Sequence, residues 1–149
     1  MKLIAAPDQS PILSKEKTLF LAGGISNCRD WQRDMIEKLK KENLTLINPR
    51  RENWDMNADP EESARQIEWE HMMIGISKGI MFWFPNETLC PITLFELGAA
   101  LRTHTNIFIG CDPDYKRKFD VEVQVSLVRS DITVHSSLDD LANDIIANF

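Results

Sequence analysis

The stretch Thr18-Leu19-Phe20-Leu21-Ala22-Gly23-Gly24 decides the fold. Its apolar residues run without alternation, so the strand it predicts is buried on both faces, and it stops at two glycines. Asp30 then offers an N-cap for a helix to about Glu42, with Trp31, Met35, Ile36 and Leu39 as the apolar stripe. The alternation repeats. Leu44 to Ile47 is a second strand, closed by Asn48-Pro49. Asp59-Pro60-Glu61-Glu62 joins a cap, a first-turn proline and dipole-favoured acids at the start of a helix to about Ser77. Gly79 to Phe84 is the third strand, and Pro91 opens a helix ending near Thr103. Asn106 to Gly110 is the fourth strand, followed by a polar loop and short helix within Asp114 to Arg129. Ile132 to Val134 is the fifth, and Ser136 or Ser137 caps a last helix to about Asn148. Strands buried on both faces and separated by helices predict an α/β chain, a three-layer doubly wound parallel five-stranded sheet. Ligands in such sheets bind beyond the carboxyl ends of the strands, where Gly23-Gly24, residues 48–54, 85–90 and 110–115 fall.

Composition narrows the function. A chain of 149 residues suits one domain with a real core, here 18–149, preceded by an irregular leader over 1–17. The net charge of -6 argues against a nucleic-acid groove or an anionic membrane as the main partner. No apolar run approaches a membrane span, and Leu3-Ile4-Ala5-Ala6 is too short for a signal-peptide core. Three cysteines, Cys28, Cys90 and Cys111, are an odd number without metal-like spacing, which fits a reducing cytoplasm. His71, His104 and His135 are scattered, so no metal is expected. The glycines after the first strand lack the third glycine of the dinucleotide fingerprint, and no cofactor is expected.

Several residue groups carry candidate chemistry. In Thr93-Leu94-Phe95-Glu96-Leu97-Gly98-Ala99-Ala100-Leu101 one carboxylate shares a helix face with Ile92, Thr93, Ala99 and Ala100. Burying it without a partner is costly, so Glu96 is either a working group or a partly exposed residue at the border of the stripe. Gly23 and Gly24 either let backbone approach a sugar or phosphate, or simply make a tight turn. Asn48-Pro49-Arg50-Arg51-Glu52-Asn53-Trp54 offers arginines for a phosphate and Trp54 for stacking on a base; the other reading is a solvated loop with a packed tryptophan. Glu70 sits between Ile67 and Ile74 on one face of the second helix, but a helix starting at Pro60 carries it ~15 Å along the axis. That depth favours a structural role unless the helix is irregular or starts later. Cys90, just before the Glu96 helix, is a weaker nucleophile candidate, with no histidine placed to activate it.

Taken together, Phe20-Leu21-Ala22-Gly23-Gly24, Asn48-Pro49-Arg50-Arg51, Gln66-Ile67-Glu68-Trp69-Glu70, Phe82-Trp83-Phe84-Pro85 and Thr93-Leu94-Phe95-Glu96-Leu97-Gly98-Ala99 resemble the nucleoside 2-deoxyribosyltransferase family. Order and spacing match from about Thr18 to Val134. The resemblance implies a flavodoxin-like sheet of strand order 2-1-3-4-5 and transfer of a 2-deoxyribosyl group between nucleobases. Glu96 would be the nucleophile, forming a glutamyl-deoxyribosyl ester, and Glu70 would help protonate the leaving base. Substrates would be 2'-deoxynucleosides and free nucleobases. A homo-oligomer with shared active sites is implied, in which Asp131 of a neighbouring subunit would hold the sugar 5'-hydroxyl.

Three positions depart from the family pattern. Phe20 stands where some members have a tyrosine that orients the nucleophile. Cys90 stands where transferases carry a sugar-holding aspartate and related nucleotide hydrolases a phosphate-holding serine, with Asn86 or Glu87 in the same loop. Gly79 replaces a common acid. These departures keep two other readings open: an N-glycosidase hydrolysing nucleoside 5'-monophosphates, with Arg50 or Arg51 on the phosphate, and a non-catalytic nucleotide-binding domain.

Overall fold

The computed structural model describes residues 1–8, 15–51 and 59–149, so the expectation for Trp54 lies outside the described residues. Six parallel strands form the sheet: β1 (Lys2–Ala5), β2 (Thr18–Gly23), β3 (Thr45–Asn48), β4 (Gly79–Phe84), β5 (Asn106–Cys111) and β6 (Val134–His135). Their order is β1-β3-β2-β4-β5-β6. Without the first strand this is the expected 2-1-3-4-5, and the fold is a flavodoxin-like α/β.

The leader is where the expectation needs correcting. Residues 2–5 are not irregular but add a sixth, edge strand, with Lys2 opposite Thr45 and Ala5 opposite Asn48. Ile4 is fully buried there. A short edge strand gets its stability from hydrogen bonds to a partner some forty residues away, which no local pattern announces. The last strand, at Val134–His135, also lies slightly later than the apolar run from Ile132 suggests.

Helices α1 (Trp31–Leu39), α2 (Pro60–Ile76), α3 (Pro91–Thr103), α4 (Lys118–Val128) and α5 (Leu138–Asn148) cover the two faces. Alternate strand residues sort the layers. Phe20, Ala22, Ile80, Phe82 and Phe84 pack with Trp69 and Met73 of α2, Leu97 and Ala100 of α3, and Val121 and Val125 of α4. Leu19, Leu21, Met81 and Trp83 pack with Trp31 and Met35 of α1 and Leu141 and Ile145 of α5. Each large side chain so buried contributes roughly 1.5–3 kcal/mol. The caps are those the sequence suggests: Asp30 Oδ1 accepts from Arg33 N (3.1 Å), Asp59 Oδ1 from Glu62 N (2.8 Å) and Ser137 Oγ from Asp140 N (3.1 Å).

The strand order reverses between β2 and β4, whose carboxyl ends therefore splay their connections to opposite sides and leave a crevice. Among the described residues, no helix is long and apolar enough to cross a membrane.

Candidate active site

A cavity of about 420 Å³ opens at that crevice, between α2 and α3 over the β2 end of the sheet. Its floor is Phe20 and Ala22, one wall is Ser63, Gln66, Ile67 and Glu70 of α2, and the other is Ile92, Thr93 and Glu96 of α3. The α2 residues fall at i, i+3, i+4 and i+7, a single helical face. Glu70 and Glu96 thus share one cavity although α2 does start at Pro60. The depth of Glu70 is no obstacle, because the cavity runs inward over β2 as far as Phe20 rather than stopping at the strand tips.

Glu96 is half-buried at the border between Thr93, Leu97 and Ala100, which are buried, and Ile92 and Phe95, which are exposed. Burial first and the nearby Glu70 carboxylate second push its carboxyl up to about 7. Glu70 is also raised by burial, but it is held back by a hydrogen bond from Gln66 and the charge of Arg51. Gln66 Nε2 donates to Glu70 Oε1 at 2.7 Å and to Pro49 O at 3.1 Å. Burial thus makes both carboxyl groups easier to protonate than a solvated glutamate, and Glu70 adds to the effect on Glu96. Gln66 and Arg51 both stabilise the ionised form of Glu70, whereas both causes acting on Glu96 favour its neutral form.

The two glycines line the cavity, and what they make room for is protein. A Cβ on Gly23 would stand 2.4 Å from Trp31 Cζ2 and 2.4 Å from Trp83 O. One on Gly24 would stand 2.8 Å from Cys90 Sγ and 2.9 Å from Pro85 Cγ. Neither glycine has positive φ, so close approach rather than a special turn explains them. Gly24 O also accepts from Trp31 Nε1 at 2.8 Å and from Cys28 Sγ at 3.1 Å, fixing the loop.

Cys90 caps α3 in the left-handed region (φ 49) and lines the cavity. Burial first, then Cys28, pushes its thiol up to about 12, so it is a neutral thiol and a poor nucleophile. Its loop is anchored by Tyr115, whose hydroxyl donates to Leu89 O at 2.8 Å.

Other expected residues lie elsewhere. Asn48 does not line the cavity; its Oδ1 accepts from Arg50 N at 3.0 Å and turns the chain after β3. Arg50 is drawn toward α1, donating to Gln32 Oε1 at 2.9 Å and lying 3.4 Å from Asp30. Arg51 is in the cavity wall, with Glu62 at 3.0 Å. Asp131 follows α4 and is exposed, chelated by Arg129, which also donates to His104 O and Thr105 O. These are at the amino edge of the sheet, so the chain's own Asp131 does not reach its own cavity. Gln66 and Ser63 are cavity residues that the sequence analysis did not single out. The signal for both is their spacing from Glu70 on one face of α2.

A flavodoxin-like α/β domain with paired glutamates in a crevice at its strand-order reversal is the class that fold and site define. Residues 16–115 match the family described as nucleoside 2-deoxyribosyltransferase like, and the chain belongs to that family. No curated protein matches the chain.

Proposed function

We propose that the protein transfers 2-deoxyribosyl groups between nucleobases by double displacement in the Glu96–Glu70 cavity. The observation that carries this reading is the presence of both carboxyl groups in one cavity of nucleoside size, in a chain of this family. In the first step a Glu96 carboxylate oxygen attacks the anomeric carbon. The glycosidic C–N bond breaks with its electron pair going to the base, which takes the proton of Glu70. In the second, a ring nitrogen of another base attacks the same carbon. The ester C–O bond breaks, Glu96 leaves as carboxylate, and the incoming base gives its proton to Glu70.

The reactive arrangement has Glu70 protonated and Glu96 ionised. A bound base supplies the bias. Its ring lone pair repels an ionised Glu70 and accepts a hydrogen bond from the protonated one, which leaves Glu96 charged. Glu70→Gln keeps the geometry and removes the transferable proton. The expected result is release of the base slowed ~10²-fold with binding preserved, and most for the poorest leaving bases. Equal slowing for every leaving base in a series of graded basicity removes the acid role.

Hydrolysis of nucleoside 5'-monophosphates is less well supported. Arg50 is committed to Gln32 and Asp30, and a phosphate would compete with Glu62 for Arg51. A homo-oligomer is the assembly we propose. Ile92 of α3 and Ile67 of α2, which line the cavity, and the neighbouring Phe95 are at least 64% exposed, an apolar surface that a second subunit would cover. Such a neighbour would also supply Asp131. The free thiols of Cys28, Cys90 and Cys111 favour a cytoplasmic setting.

Incubating the protein with deoxyadenosine and free uracil, followed by chromatography, tests the reaction. A new deoxynucleoside, deoxyuridine, is expected. Free deoxyribose alone would replace the transferase with a hydrolase, and no product with nucleosides or nucleotides would leave a binding domain.

A further inference from the structure

Gln66 holds a place on α2 that its amide oxygen does not justify. The residue is 8% exposed and lies one turn before Glu70. Its Nε2 donates to Pro49 O at 3.1 Å and to Glu70 Oε1 at 2.7 Å. Pro49 O can only accept, so the amide atom facing it is the nitrogen. The amide oxygen is buried with no hydrogen-bond donor among the described residues. An unpaired buried acceptor is costly, so the side chain is placed here for its two hydrogens. One ties it to the main chain just after β3, and the other ties Glu70 to that anchor.

We propose that Gln66 is a positioning residue for the acid step: it holds the Glu70 carboxyl in one orientation, with Oε2 as the oxygen that carries the proton. This rests on the reading of Glu70 as the group that exchanges a proton with the base. Amide hydrogens only donate, so Oε1 accepts from Gln66 whether Glu70 is neutral or ionised, and the proton belongs on Oε2. In the first step that proton passes from Oε2 to the leaving base, which has taken the electron pair of the C–N bond. In the second the incoming base returns a proton to Oε2. Neither transfer breaks the bond from Gln66, so the carboxyl does not turn between the half-reactions. A group already in place adds no reorganisation to the barrier. Gln66 also sets how tightly the proton is held. Its hydrogen bond and the charge of Arg51, in the loop after β3, favour the carboxylate and oppose the effect of burial. The other charged group acting across the cavity is Glu96 of α3. Without its donor Glu70 would hold the proton more firmly and be a weaker acid.

The test is a double-mutant cycle on base exchange by the intact protein. Gln66→Met keeps the length of the side chain and removes both donors. It is expected to lower kcat ~10-fold, with KM for the deoxynucleoside within ~2-fold of wild type. In the Glu70→Gln background, where no acid is left to position, the same change should alter kcat by less than ~2-fold. Equal losses in the two backgrounds would reduce Gln66 to a packing role and overturn the proposal. Carboxyl-carbon NMR reads the same link without turnover: the titration of Glu70 should move to higher pH in Gln66→Met, and an unmoved titration overturns the proposal. Should that variant fail to fold, the Gln66 side-chain amide resonances of the wild type decide. They should shift with pH in step with Glu70 and lose that dependence in Glu70→Gln; resonances indifferent to the titration overturn the proposal. The two ideas fail separately. A wild type that exchanges no bases removes the transferase on which this role rests, whereas exchange with equal losses in both backgrounds removes the role of Gln66 alone.

Discussion

Glu96→Ala is expected to lower turnover by ~10⁴-fold or more while leaving the folded structure intact, because it removes the only group proposed to make the covalent bond. The location of Glu96 makes this interpretable. It stands at the border of the α3 core stripe, and the residues that hold α3 on the sheet are Leu97, Ala100 and Leu101. Deleting a half-buried carboxylate that burial already disfavours takes no contact from that core. A loss of activity can therefore be assigned to chemistry once circular dichroism and thermal unfolding match wild type. Glu70→Gln should lose far less, since an acid accelerates departure of the base without forming the intermediate. Base exchange by Glu96→Ala within tenfold of wild type would refute the nucleophile. A binding domain would show a third pattern: no turnover in either protein, and ligand affinity barely changed by the substitution.

The sequence reveals the layers and singles out Glu96 for different reasons. Continuous apolar runs such as Leu19-Phe20-Leu21-Ala22 and Ile80-Met81-Phe82-Trp83-Phe84 can be buried only between two layers of helices, so parallel architecture follows from them. Glu96 stands out because it interrupts a small-residue helix. What helical spacing cannot give is how far the cavity reaches. Glu70 looks too deep if ligands stop at the strand ends, and becomes a cavity residue only because α2 and α3 stand apart above Phe20. Gly23 and Gly24 show the converse limit. Their positions are readable, but their reason, room for Trp31 and Cys90, is a packing fact among residues distant in sequence. Arg50 and Arg51 look like a pair in the chain, yet the turn held by Asn48 sends one toward α1 and the other into the cavity wall. The strand at Lys2–Ala5 is invisible for the same reason: its hydrogen bonds belong to β3.

Glu96→Gln is expected to make the protein more stable at pH 8, by on the order of 3 kcal/mol, with little effect at pH 4.5. The sign follows from linkage. Burial and Glu70 raise the folded-state pKa of Glu96 from 4.5 to about 7. Between those values the folded protein binds more protons than the unfolded chain, so wild-type stability falls as pH rises through the window and the loss is complete above about 7. Glutamine fills the same space without a charge to desolvate, and so removes that slope. Glu70, also raised, contributes in the same direction and remains in the variant. Glu96→Gln also removes the like charge facing it, so the residual slope should be shallower still. Urea unfolding of both proteins at pH 5 and pH 8 measures the effect, with the difference between them growing toward the higher pH. Parallel stability curves would mean that Glu96 is well solvated in the folded protein. A stability cost at the position that chemistry requires is what a site held ready for catalysis entails, and here one substitution should raise stability and abolish turnover together.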